Sequence, residues 1–88
     1  MKLPMTLLRC GGQAVDQPFE TANVSSNGVL FRTGLEMEVG SPVEYTLTLA
    51  PAMGPRKAVR LHCLGKVVRH AAAETVAATI ERYEFVRG

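Results

Sequence analysis

V-E-Y-T-L-T-L, residues Val43 to Leu49, alternates without a break. Val43, Tyr45, Leu47 and Leu49 fall on one side, and Glu44, Thr46 and Thr48 on the other. That is the period of a strand with one face in a core and the other towards solvent. Downstream, A-V-R-L-H-C-L-G-K-V-V-R-H sets Val59, Leu61, Cys63 and Val67 against Arg60, His62 and Lys66. Gly65 interrupts this strand and points to a bulge or a tight bend. E-T-V-A-A-T-I-E puts Val76, Ala78 and Ile80 on one side, though its alanines also suit a helical turn. Upstream, an apolar run from Leu3 to Cys10 stops at Gly11-Gly12, a second begins near Phe19, and a third, Val29 to Arg32, follows Asn27-Gly28. Gly40-Ser41-Pro42, Pro51 to Arg56 and His70 to Ala73 punctuate the rest. Six short strands between Gly/Pro turns predict an all-β fold, a small six-stranded antiparallel Greek-key barrel. A barrel is preferred to a sandwich because so short a chain gains from having no free sheet edge. Val43, Tyr45, Leu47, Leu61, Cys63 and Val67 are expected inside.

The 88 residues form one domain, residues 1–88, and an apolar fraction of 47% suffices for one modest core. A net charge of +2 argues against a broad nucleic-acid surface but leaves room for a local anion site. Cys10 and Cys63 are the only cysteines, with no C-x-x-C and no His pair at metal spacing, so a zinc site is not expected. Two free thiols in a reducing compartment are the simpler reading than a disulfide. M-K-L-P-M-T-L-L-R is too short and too soon interrupted for a signal peptide, and no apolar run approaches a membrane span. The chain is therefore expected to be soluble, cytoplasmic and without membrane insertion.

N-V-S-S-N-G-V-L-F, Asn23 to Phe31, passes from a polar turn into an apolar strand. Asn27-Gly28 alone predicts a type I′ hairpin turn with positive φ at Gly28. The wider spacing adds a second reading: Asn23, Ser25 and Gly28 form N-x-S-x-x-G directly before V-L-F. This resembles the PilZ family, whose second signature is Asp or Asn, one residue, Ser, two residues, Gly, at a strand-to-strand turn. Gly40-Ser41-Pro42 with V-E-Y-T-L-T-L is similar to the family's glycine and long middle strand, Gly65 and Val67 to its G-x-V strand, and V-A-A-T-I-E-R-Y-E-F to its closing strand. In that last segment Ala77 and Ile80 stand where the family usually has Gly and Phe.

The resemblance implies a six-stranded barrel that receives the bacterial second messenger cyclic di-GMP, with ligand roles for Asn23, Ser25 and Gly28. A guanine edge offers donors and acceptors that an Asn amide and a Ser hydroxyl can meet, and a glycine lets backbone approach closely. The ligand's two phosphates call for arginine, with its forked donors and flat face. The family's first signature, an R-x-x-x-R ahead of the first strand, is absent from that place. Counting back from Asn23 leads to about Met1, and Arg9 is followed four residues later by Gln13. Lys2 and Arg9 are the bases left for a phosphate role. Two explanations stand: a degenerate member that binds weakly or not at all, or preceding residues that carry the arginines. The chain's opening methionine favours the first.

The remaining polar residues suggest less. His62 and His70 show no partner in the sequence and read as solvated, as do Glu36 and Glu38. Ser25 has no histidine base in a nucleophile motif, so no enzyme is expected. Arg69, Arg82 and Arg87 are candidates for an anion site or ordinary surface charges. The leading expectation is a PilZ-type binding module for cyclic di-GMP signalling, weakened by the missing arginines. No cofactor is needed. The first alternative is a protein-interaction adaptor barrel of the kind linked in that family to pilus biogenesis and motility, with a protein partner. The second is a small barrel for single-stranded nucleic acid, which ranks last because most aromatics lie in core phase, so no DNA or RNA partner is expected.

Overall fold

The structure, a computed structural model, describes residues 2–51, 53–72 and 74–87. Seven strands follow one another: β1 (Pro4–Cys10), β2 (Gln13–Val24), β3 (Gly28–Arg32), β4 (Pro42–Ala50), β5 (Val59–Ala72), β6 (Thr75–Thr79) and β7 (Arg82–Arg87). The first six pair antiparallel in the cyclic order β1-β2-β3-β6-β5-β4, and β4 returns to β1 to close a barrel. β4, β5 and β6 are consecutive neighbours with β3 brought back beside β6, a Greek-key connection. β7 lies outside the ring, paired with β5 alone among the described strands.

Two long strands make closure feasible in so short a chain. β2 gives its first half to β1 and its second half to β3. β5 pairs with β4 and β7 over Val59–Lys66, then with β6 from Val67 onward. The change of partner needs a break in register. It comes as a shift between Val67 and Arg69, where Val68 is the extra residue. Gly65, expected to mark that bulge, instead stays in regular register opposite Val43. Its missing side chain serves another purpose: a Cβ there would stand against the Thr79 carbonyl oxygen and 2.7 Å from its carbonyl carbon.

Alternation decides the core. Val43, Tyr45, Leu47, Cys63 and Val67 are buried together with Met5, Leu7, Val29, Phe31, Val76 and Ala78. Leu61 is half-buried at the barrel's margin. Leu49, in phase with Leu47, is nevertheless 41% exposed, because the β4–β5 register shifts between Thr48 and Ala50 and breaks the phase there. Met37, from the connection between β3 and β4, plugs the core without any periodic signal.

The expected closing strand divides into two elements. β6 completes the barrel, whereas β7 continues along β5 past the end of β3. Tyr83 and Phe85 are 63% and 66% exposed, because no described strand covers that flank. The second strand also starts earlier than expected, at Gln13 rather than near Phe19. The tight turn before it uses Gly11 at φ 59° and Gly12 at φ 85°, the positive values that a two-residue type I′ hairpin demands.

Candidate functional site

Asn27-Gly28 is not a type I′ turn. Neither residue has positive φ. The chain turns over Ser25–Gly28, with the Ser25 N–H donating to the Gly28 carbonyl at 2.9 Å. Gly28 already belongs to β3, opposite Thr79 of β6. Its glycine identity is a matter of space: a Cβ would press into the Ala78 carbonyl oxygen. The Ile80 N–H donates to the Asn27 carbonyl at 2.8 Å and so fastens the turn to the end of β6.

Small residues on neighbouring strands leave a hollow. On the outer face, Gly28 lies opposite Thr79 and Leu30 opposite Ala77. A cleft of about 340 Å³ opens there, with Asn23, Ser25 and Asn27 on one rim and Val68 and Arg69 on the other. That volume is at the lower end of ordinary ligand sites. The bulge at Val68 sets the second rim, since an extra residue re-aims the side chains that follow it. Among the described residues, no carboxylate pairs with Arg69.

The polar rim is already organised. The Asn23 Oδ1 accepts the Val24 N–H at 3.0 Å, which orients the amide. The Ser25 hydroxyl accepts the Asn27 N–H at 3.3 Å and donates to the Gly28 carbonyl at 3.4 Å. Both bonds are long, so the hydroxyl can be redirected to a ligand at small cost.

Of the residues singled out from the sequence, the cleft gathers Asn23, Ser25 and Gly28. Lys2 is adjacent without lining it: Leu3 exchanges bonds with Thr21 (its N–H to Oγ1 at 2.7 Å, the Thr21 N–H to its carbonyl at 3.0 Å), so Lys2 stands at the Asn23 end of β1. Met1, where the arginine count leads, lies outside the described residues. Arg9 is at the far end of β1, opposite Ala14 and Glu44, roughly 20 Å along the strand at about 3.3 Å per residue. It does not reach the cleft. Arg69 does line it, and the sequence offered it, with Arg82 and Arg87, as a candidate for an anion site or an ordinary surface charge. The missing signal was the bulge at Val68.

The other candidates lie elsewhere. Arg82 borders a hollow of about 280 Å³ with His62, Leu64, Tyr83 and Glu84. Of Arg87, only the backbone is described. His62, which has no partner in the sequence, meets Glu44 at 2.6 Å through Nε2, with Glu84 3.9 Å from Nδ1. The diagonal of the β4–β5 ladder makes that pair, and strand register is not written in linear spacing. Cys10 and Cys63 are free thiols, half-buried and buried. Burial pushes the Cys63 thiol up to about 11, against a lowering by its hydrogen bond with Tyr45. No helix is long and apolar enough to cross a membrane, and the described residues hold no group of three or more His, Cys, Asp or Glu suited to a metal.

Comparison of the chain with protein-family models, with curated proteins and with solved structures finds no match.

Proposed function

We propose that this barrel is a PilZ-type module that receives cyclic di-GMP weakly on the outer face of β3, β6 and β5. The observation that carries the reading is the convergence of Asn23, Ser25 and Gly28 with Arg69 on one cleft. The Asn23 amide and the Ser25 hydroxyl supply a donor and acceptor edge for guanine. Gly28 and Ala77 keep the floor low, so that a flat base approaches the backbone of β6. Arg69 supplies a guanidinium for one phosphate, and Lys2 a point charge beside the Asn23 end. No bond is made or broken; the module acts by binding, and the ligand draws the N-terminal segment over the barrel to present a new surface.

Affinity follows from the count of charged contacts. Each hydrogen bond to a charged group contributes ~1.5–3 kcal/mol, and ~1.4 kcal/mol is tenfold. A site with one guanidinium where the resemblance calls for an additional pair therefore binds no tighter than roughly 10 µM. Calorimetric titration tests this. Saturable heat in the range of tens to hundreds of micromolar, weakened by Ser25→Ala and by Arg69→Ala, is the expected result. A flat isotherm at millimolar ligand overturns the ligand reading and leaves the adaptor reading in its place.

A further inference from the structure

A closed barrel hides most of its edges, yet among the described strands several stretches stay open, and two of them contrast. One is the first half of β2, which pairs only with β1. It is spoiled for further pairing: Pro18 lacks an N–H, and Asp16 sits at φ 54° in a register shift. The other is β7, R-Y-E-F-V-R, bound to β5 on one side and to nothing among the described strands on the other. It contains no proline, glycine or lysine and no positive φ. Its Tyr83 and Phe85 share one face, with ring centroids 6.3 Å apart in an edge-to-face contact, and both are largely exposed. The protein blunts one open edge and leaves the other straight and aromatic.

The charge order of β7 says what fits it. Antiparallel pairing of two identical strands about a two-fold axis at Tyr83 sets Arg82 opposite the second copy's Glu84, twice, with Tyr83 facing its own copy and Phe85 diagonal to it. Opposite charges and aromatic pairs directly across a ladder stabilise it, and like charges weaken it. Shifting the axis to Glu84 would put the two Glu84 carboxylates face to face. R-Y-E is thus self-complementary in antiparallel register, and an isologous contact of this kind closes after two subunits. The geometry points to a homodimer in which Arg82–Glu84 of β7 pairs with Arg82–Glu84 of a second copy and joins the two sheets through the Tyr83 axis. The cleft at Asn23 and Arg69 lies on other strands, so this inference is independent of ligand binding.

Sedimentation equilibrium of the full chain from about 10 µM to 1 mM tests it, with circular dichroism to establish that each variant keeps its strands. A short edge-to-edge contact should give a dissociation constant on the order of 100 µM. Arg82→Glu faces two carboxylates against two, and Glu84→Arg two guanidinium groups against two. Each variant alone should dimerise at least ~10-fold more weakly. Mixed together they should restore a one-to-one dimer, since every pair is again opposite in charge. Tyr83→Lys, which places two ammonium groups at the axis, should be monomeric. A wild-type monomer throughout the range overturns the proposal. So does a dimer indifferent to these changes, or a mixture that does not recover.

Discussion

The Tyr45 hydroxyl donates to the Thr79 carbonyl at 2.9 Å, joining β4 to β6 across the intervening β5. The contact exists because Gly65, on the core side of β5, leaves its side-chain space to that carbonyl. Thr79 is held from outside as well, since its Oγ1 accepts the Lys66 N–H at 3.0 Å. Tyr45 is fully buried, so its hydroxyl has no water to fall back on. Tyr45→Phe should keep the ring's packing and orphan the carbonyl, costing about 1–2 kcal/mol in urea melts. An unchanged midpoint would show that the bond contributes nothing net.

Gly28→Ala and Gly65→Ala should both destabilise, for reasons of space rather than of φ. In each case the new methyl enters the backbone of β6, at Ala78 for Gly28 and at Thr79 for Gly65. Overpacking against backbone costs about 1–3 kcal/mol, and Gly65, with the nearer obstacle, should be the worse. Gly34→Ala, with open space around it, serves as the control and should lie within about 0.5 kcal/mol of wild type. Equal melts for all three would contradict the close approach of β6.

These glycines show how much the sequence disclosed. Alternation over Val43–Leu47 and Val59–Val67 marked the strands and most of the core, because a two-residue period has only one way to bury an apolar face. It could not show register between strands. Hence the partner of His62, the bulge at Val68 and the split between β6 and β7 were not legible. Asn27-Gly28 carried the chemistry of a type I′ turn, but Gly11-Gly12 makes that turn, and Gly28 is spent on strand contact. The N-x-S-x-x-G spacing did mark one rim of the cleft. Arg69 on the opposite rim comes from a strand more than forty positions later and needs the closed barrel to arrive.

Cys63 gives the fold a base-sensitive element. Burial raises its thiol from 9.0 to about 11, so the folded state keeps the proton after the unfolded chain has released it. Stability conferred by the neutral thiol is complete below pH 9 and is lost as pH rises towards 11. The loss should be on the order of 1–3 kcal/mol in melts taken at pH 8 and pH 11. Tyr45, raised by the same burial, changes stability in the same direction at still higher pH. A Cys63→Ala variant should show a shallower decline. Thiol labelling at pH 8 should find Cys63 inert in the native state and Cys10, half-buried, the first to react.

An added arginine pair should strengthen binding at the proposed site. Extending the chain ahead of Met1 with an R-x-x-x-R segment brings two guanidinium groups to the end of β1 where Lys2 stands near Asn23. Cyclic di-GMP affinity should rise by two or more decades, from two charged contacts at ~1.5–3 kcal/mol each. Ser25→Ala in the extended chain should then lower it, as read by calorimetry.

The proposed cyclic di-GMP site lies between the Ser25 turn and Arg69, and amide chemical-shift mapping shows whether the ligand binds there. In a ¹H–¹⁵N titration of the unmodified chain, the largest shifts should fall on Asn23, Ser25, Gly28, Arg69 and Thr79, fit one weak isotherm, and shrink in Arg69→Ala. Shifts confined to the Arg56–Lys57 loop or to β7, or a spectrum unmoved at millimolar ligand, would contradict it.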